Sequence, residues 1–192
     1  MANDSSTGGY ILPTGTAPPY DAALDAIFQT MVVGLTGLPG NMVRPRWQPT
    51  APKQPPATTD WCAIGVTVID PDAGPAIIHD PTGNGQDKTQ RHEGIEVLCS
   101  FYGPNAGQNM AMARDGIAIP LNNGMLAPNN IALVGVGRHV VAPDLINQQW
   151  VRRWDLPMTF RRNAERTYPI LNIESVSIGI TTDSGPTVEA ST

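Results

Sequence analysis

Two long alternating segments in the second half of the chain constrain the fold more than any other feature. Residues 148–167 and 170–181 each alternate apolar with polar side chains at a period of two. This period is typical of β-strands with one buried face, and the two segments together predict a long C-terminal β-hairpin. Pro157 lies in the first segment and lacks the N–H that a central strand donates. We therefore expect that strand to be bent, bulged or at an edge.

Helical periodicity appears in two shorter segments. Residues 21–36 place apolar side chains at i, i+3, i+4 and i+7, with Asp21 as a candidate N-cap and Gly37 as the stop. Residues 105–119 follow a Gly-Pro-Asn turn and repeat the spacing with Met110, Ala113 and Ile117. The pattern predicts two helices, each with one buried face.

The remaining alternating runs predict further strands at residues 61–69, 76–79, 88–102 and 131–142, separated by loops at residues 48–59 and 121–130. On the first run Cys62, Ile64, Val66 and Val68 share a face, and on the third Ile95, Val97, Cys99 and Phe101 do. Strands and helices do not alternate as parallel βαβ units would. We predict an α+β fold: a mostly antiparallel sheet with one or two helices packed on it and a long C-terminal β-hairpin.

Composition indicates one domain that buries surface against partners. Residues 20–182 are predicted to form this domain, between a flexible N-terminal arm at 1–19 and a flexible tail at 183–192. Only 15% of residues are charged, well below the usual quarter, and the net charge is −5. Ten of the twelve basic residues are arginine, which is favoured at protein interfaces, where lysine is depleted. These numbers favour an assembly component and exclude a globally basic nucleic-acid binder.

The two cysteines and the N-terminus suggest a reducing, soluble environment. Cys62 and Cys99 both lie within apolar alternating runs, which favours buried free thiols over a disulfide. The first residues do not have the pattern of a signal peptide, and no apolar run approaches the roughly 20 residues of a membrane helix. We expect no association with a membrane.

Each common pattern for catalysis or metal binding fails in this sequence. Short Cys/His ligand spacings, a Gly-x-Ser-x-Gly nucleophile and Gly-rich phosphate loops are all missing. His79, Asp80, His92 and Glu93 could meet across adjacent strands, but exposed polar residues flanking a loop are the favoured interpretation. We expect no catalytic residue, cofactor or metal, and hence no enzyme.

An arginine-rich stretch interleaved with aromatic residues admits two interpretations. Alternation sends Arg152 and Arg162 to one strand face, and Arg153 and Arg161 to the other, which favours protein contacts over a single DNA-facing patch. A nucleic-acid-binding module, with the aromatic rings stacking on bases, is the alternative. The predicted assembly interface comprises Trp150, Arg152, Arg153, Trp154, Phe160, Arg161 and Arg162, since Trp and Arg are enriched in interface hot spots.

Several local sequences, taken in order, resemble a known family. They are a Gly-Leu-Pro after the first helix, DWCAIGV at residues 60–66, HEGIEV at 92–97, FYGP at 101–104 and QWVRRWDL at 149–156. The order resembles that of the neck or tail-terminator proteins of tailed bacteriophages, over about residues 20–180.

The resemblance implies a structural virion protein. It would form a homo-oligomeric ring, usually a hexamer, that caps the tail tube and joins it to the head-completion (connector) proteins. Genomic DNA would pass through the lumen without sequence-specific binding, and assembly would occur in the host cytoplasm. The two long strands would join the subunits. Another tail component, such as a head–tail adaptor, a tube protein or a baseplate protein, is the alternative.

Overall fold

A mostly antiparallel sheet with helices packed on one face organises the chain, as the sequence predicts. The computed structural model describes residues 3–50, 52–146, 148–173, 177–180 and 188–191. The helices are α1 Asp21–Thr36, α2 Ala106–Ile117 and α3 Pro120–Gly124, with 3-10 turns at Gly40–Met42 and Ala127–Asn129. The strands are β1 Val43–Pro45, β2 Trp61–Pro71, β3 Ala76–Asp80, β4 Gln86–Tyr102, β5 Ile131–Val136, β6 Val140–Val141, β7 Asp144–Ile146, β8 Gln149–Val151, β9 Arg153–Tyr168, β10 Ser177–Ile180 and β11 Val188–Ser191.

Seven of these strands form the main sheet. Its order is β1-β2-β4-β9-β5, with β3 added to β4 and β6 added to β9. The strand β1 runs parallel to β2, whereas β2 with β4, and β9 with β5 and β6, are antiparallel. Two small antiparallel sheets, β7-β8 and β10-β11, complete the described strands. The α+β prediction is confirmed.

Helix α1 has the predicted bounds and supplies much of the core. Leu24, Phe28 and Val32 are fully buried. Gly37 ends the helix in the left-handed conformation (φ +70°) and donates its N–H to the Val33 carbonyl at 2.9 Å. The predicted cap was wrong by one residue, because Tyr20 occupies the N-cap position.

The predicted buried face is confirmed for β4, whereas for β2 it is correct only in the first part of the strand. The inner face of β4 is buried at Ile95, Val97, Cys99 and Phe101, as predicted. On β2 the predicted face holds at Cys62 and Ile64 but fails at Val68, which is exposed. The register shifts between Val66 and Val68, and such a bulge reverses the alternation beyond it. The Val66 N–H at the bulge donates to the buried Asp25 carboxylate of α1 at 3.0 Å.

Both cysteines are buried free thiols, as predicted. Burial, above all, raises the pKa of the Cys62 thiol well above its usual value, and the neighbouring Cys99 thiol acts in the same direction.

Strand β9 lies inside the sheet, and this corrects the predicted pairing of the two long segments. Its neighbours are β4 on one side and β5 with β6 on the other. Of the predicted partner segment, residues 177–180 form β10, which pairs with β11, and residues 174–176 and 181 lie outside the described residues. The alternation of β9 itself is confirmed, because Leu156, Met158, Phe160, Arg162 and Ala164 are all buried. Alternation identifies a strand and its faces, but it does not identify the strand's neighbours.

Pro157 coincides with an irregularity in the sheet, as its missing N–H predicts. The β5 ladder with β9 ends at Met158, and the β6 ladder resumes at Asp155. Between them the Pro157 carbonyl accepts from the Gly137 N–H at 2.8 Å. Proline is thereby tolerated within an interior strand, because the ladder is broken where the donor is missing.

The segment between the second helix and β5 also differs from the prediction. Helix α2 is shorter than expected, and the predicted loop at residues 121–130 contains most of α3 and a 3-10 turn. Pro120 takes the first helical position of α3, where proline is tolerated. The strand predicted at residues 131–142 is divided into β5 and β6.

The chain forms two compact units. The larger contains residues 17–76 and 90–165, and the smaller contains residues 1–16, 77–89 and 166–192. In the smaller unit, Asn172 fastens the turn after β3 by donating its amide to the carbonyls of Pro81 (3.0 Å) and Gly83 (3.2 Å). Gly85 (φ +90°) is required there, because a Cβ would lie 2.5 Å from the Asn172 carbonyl oxygen.

Parts of both predicted terminal segments are paired in the smaller unit. Thr14 bridges Thr167, and β11 lies within the predicted tail. Residues 1–2 of the predicted arm, and 183–187 and 192 of the predicted tail, lie outside the described residues.

A buried ion pair fastens the start of α1 to the sheet in the larger unit. The Arg162 guanidinium on β9 donates to Glu93 on β4, at 2.5 Å and 3.2 Å. It also donates to the Pro19 carbonyl, and its central carbon lies 4.4 Å from the Tyr20 ring centroid. The Tyr20 hydroxyl donates to the second Glu93 oxygen at 2.5 Å. Every oxygen of the buried carboxylate is thus satisfied, as burial of a charged pair requires.

We predict that breaking this pair destabilises the fold much more than breaking an exposed pair on the same strand. Replacement Glu93→Ala leaves the buried guanidinium unpaired and should lower the free energy of unfolding by about 3–5 kcal/mol.

The matched control is Asp72→Ala, which removes the partner of Arg161. Those side chains are 44% and 50% exposed, against 5% and 0% for Glu93 and Arg162. The control should cost about 1 kcal/mol or less. Urea unfolding followed by tryptophan fluorescence measures both, and equal losses would contradict the assignment.

Candidate assembly interface

A short hairpin between β6 and β9 presents the most exposed tryptophan among the described residues. Strands β7 and β8 pair antiparallel, with Leu145 opposite Trp150 and Asp144 opposite Val151. Ile146 and Val151 turn inward and pack with Ala63 and Tyr102. Leu145 and Trp150 turn outward and are 61% and 72% exposed. The hairpin therefore has an apolar face against the sheet and a second apolar face toward solvent.

Arg153 fastens this hairpin to the main sheet. Its guanidinium donates to the Asp155 carboxylate of β9 at 2.7 Å and 2.8 Å, and to the Asp144 carboxylate of β7 at 3.1 Å. The Asp155 hydrogen bonds, more than any other contact, raise the pKa of Arg153 further above its usual value, so the group stays charged. One side chain thus links the first residue of the hairpin to the strand that follows it.

We call the salt bridges from Arg153 to Asp144 and Asp155 the Arg153 bracket. Further side chains of the main sheet contact the residues of this bracket. The Ser100 hydroxyl donates to Asp155 and accepts from the Arg46 guanidinium. The Tyr102 ring, 5.9 Å from the Arg153 guanidinium, stacks on Trp61 with ring centroids 4.3 Å apart and planes 6° apart. The hairpin is therefore held on a layer of aromatic rings and guanidinium groups, which favours a single orientation of its outer face.

The seven residues of the predicted interface have different environments. Trp150 and Arg152 are exposed. Arg153 forms the bracket, and Trp154 packs against the core and lies 5.8 Å from the His139 ring. Arg161 is exposed and pairs with Asp72 at 2.9 Å. Phe160 and Arg162 are buried inside the single chain, where the Phe160 and Phe28 ring centroids are 4.9 Å apart.

The two faces assigned to this stretch by alternation also need correction. Arg152 interrupts the strand between β8 and β9, so the alternation does not continue across it. As a result Trp150 is exposed although Leu156 and Phe160 are buried. We therefore restrict the proposed contact surface to Trp150, Arg152 and the newly found Leu145, and call it the hairpin surface.

Sequence reasoning missed Leu145, Asp144 and Asp155, although one signal was present. The order Leu145-Ile146, two polar residues, then Gln149-Trp150-Val151 is an apolar pair, a turn and a second strand, which is typical of a hairpin. No pattern in the neighbouring sequence indicated that Arg153 forms salt bridges with Asp144 and Asp155.

The polar residues considered for chemistry do not converge in the part of the chain that the structure describes. His79 bonds Asp87 at 2.7 Å and Asn172 at 2.9 Å, whereas Glu93 is taken up by Arg162 and Tyr20. Among the described residues, no group of three or more His, Cys, Asp or Glu side chains is arranged to hold a metal ion. Nor is any helix within the described ranges long and apolar enough to span a bilayer.

Comparison with protein families decides between the remaining classes of function. The model of the phage neck terminator protein family matches residues 22–184, from α1 to beyond β10. The chain belongs to this family. The match includes the hairpin, the bracket and the buried ion pair. A search of curated proteins found no match.

Membership of the phage neck terminator family makes the chain a structural component of the virion neck. The resemblance seen in the sequence is confirmed. The function of a neck terminator lies in the contacts that it makes with other virion components, so the exposed hairpin surface is its candidate functional site.

We predict that Arg153 holds the hairpin of this neck terminator in place. Replacement Arg153→Ala removes the bonds to both carboxylates, and charged hydrogen bonds of this kind contribute about 1.5 kcal/mol or more. The amide hydrogens of β7 and β8 should then exchange about tenfold faster. The control is Arg152→Ala, because the adjacent Arg152 side chain has no hydrogen-bond or ion-pair partner among the described residues. Hydrogen exchange measured by mass spectrometry tests this, and equal rates in the two variants would contradict it.

Proposed function

We propose that this chain closes into a hexameric ring at the top of the phage tail tube. The ring ends tube polymerisation and joins the tube to the head-completion proteins, and genomic DNA passes through its lumen. Family membership supports the place in the neck. The hairpin surface supports assembly through a protein contact.

The observation that carries the proposal is the exposure of two large apolar side chains on a hairpin that Arg153 holds in place. A tryptophan as exposed as Trp150, paired with an exposed leucine across a hairpin, forms a patch of the kind that marks interaction sites. Because the Arg153 bracket orders the hairpin in advance, the hairpin loses little conformational entropy when a partner binds. We propose that the hairpin surface contacts the end of the tail tube.

The charges of the protomer suit a channel for DNA better than a DNA-binding module. Three of the five arginines between residues 152 and 166 have carboxylate partners: Arg153, Arg161 and Arg162. Arginines paired in this way contribute little to phosphate binding, which depends on uncompensated cations. The net charge of −5 acts in the same direction. The nucleic-acid alternative thus loses most of the cations on which it depended.

Purified protein tests the proposal directly. We expect a particle of about 120 kDa, since six copies of the 20.5 kDa chain would form one closed ring. Mass photometry should detect it at high concentration or after addition of tail tubes, and electron microscopy should show it on one end of each tube. A monomer under both conditions would contradict the proposal.

A substitution pair in the same assay tests the role of the hairpin surface. Trp150→Ala should reduce the fraction of capped tubes at least about tenfold, since a central tryptophan contributes about 2 kcal/mol or more to an interface. Leu121→Ala, on α3, is the matched control because Leu121 is also highly exposed and lies outside the hairpin. If both variants cap tubes equally well, the hairpin surface is not the tube contact.

A further inference from the structure

The main sheet has an open apolar edge at its β5 end. The first part of β5 is covered, because the Ile131 N–H donates to the Leu126 carbonyl and the Leu133 N–H to the Asn123 side chain, each at 3.3 Å. Beyond the irregularity after Leu133, β5 and β6 pair only with β9 among the described strands. We define the β5–β6 edge by its exposed side chains Val134, Arg138, Val140 and Val141.

The opposite end of the same sheet has a second open edge. Strand β1 covers β2 only from Cys62 to Ile64, and the Trp47 indole N–H donates to the Val66 carbonyl at 3.3 Å. From Thr67 onward β2 pairs only with β4 among the described strands. We define the β2 edge by its exposed residues Asp21, Trp47, Val68, Ile69 and Asp70.

The β2 edge is also concave. Asp21, Trp47, Val68 and Ile69 line a depression of about 200 Å³ between the start of α1 and the edge of β2. This edge can therefore receive apolar side chains as well as offer main-chain groups.

Residues 66–69 of β2 and all of β5 and β6 contain no charged residue and no proline, although β2 and β5 each have an irregularity in register. Natural sheets protect their edges with lysine, proline or inward-pointing charges. All six residues of β5 and both residues of β6 are apolar or glycine, and residues 66–69 of β2 read Val-Thr-Val-Ile. Edges of this kind can be extended by a strand of a neighbouring molecule.

The two edges have opposite charge. Arg138 stands on the β5–β6 edge, whereas Asp21 and Asp70 stand on the β2 edge. None of these three exposed side chains has a hydrogen-bond or ion-pair partner among the described residues. The positions suit each other across a contact between two copies, where opposite charges favour one orientation.

We propose that the β5–β6 edge of one copy packs against the β2 edge of the next copy. This inference rests on the proposed ring and identifies the surfaces that close it. A contact between two different surfaces of one chain is heterologous, and heterologous contacts generate rings when the rotation closes. The hairpin surface then remains available for the tube.

A symmetric contact of one edge with itself is disfavoured on the same grounds. Two β5–β6 edges would bring two Arg138 side chains together, and two β2 edges would bring four carboxylates together. Like charges that face each other across an interface disfavour the contact. Such a contact would also give a dimer in place of a ring.

Charge reversal with complementation tests the proposal. Variant one is Arg138→Glu and variant two is Asp21→Lys with Asp70→Lys. Each alone should raise the concentration for half-assembly by about tenfold or more, because like charges then face each other. Mixed in equal amounts, the variants should restore the ring, since every contact again joins opposite charges. Mass photometry at about 50 mM salt limits screening of the contact.

The matched controls reverse the exposed pair on α2, with Arg114→Glu and Asp115→Lys in separate variants. Both should assemble as the native chain does. If the native chain forms rings and either edge variant still does so undiminished, or if the mixture fails to recover, the edge contact is refuted while the ring stands. If the native chain forms no ring with or without tubes, the proposed function itself is refuted.

Discussion

Strand β9 lies between β4 and the strands β5 and β6, and this position determines what the rest of the sheet can do. Its inner side chains fill the core beneath α1, and its Arg162 takes part in the buried ion pair. Its outer residues Arg153 and Asp155 hold the hairpin. Because β9 bonds to β4 on one flank and, within residues 154–162, to β5 and β6 on the other, this part of its backbone is unavailable for a neighbouring subunit. The open edges lie instead at the two ends of the sheet.

The elements that depend on local pattern were predictable from the sequence. Helix α1 was predicted with its observed bounds, because apolar side chains recur every three to four residues up to Gly37. The inner face of β4 followed from alternation for the same reason. The fold class followed from the order of these elements, and the family from the order of short local sequences along the chain.

Features that depend on distant partners were not predictable. Arg162 looks like a surface residue in the sequence, and its burial depends on Glu93, 69 positions away. The neighbours of β9 could not be read from alternation, because residues 170–181 alternate just as β4 does. The Val66 N–H at the bulge in β2 bonds to Asp25 of α1, 41 positions away, and without this bulge in view Val68 was assigned to the wrong face. For the candidate site, the tryptophan and arginine of the hairpin were predicted, but the bracket that orders them was not.

The central claim is that this member of the neck terminator family acts at the junction of tail and head. Negative-stain electron microscopy of phage particles labelled through the C-terminus of this protein tests it most directly. We predict label at one position only, between the tail tube and the head, on a closed ring with a central channel. Label along the tail or at its distal end would contradict the account.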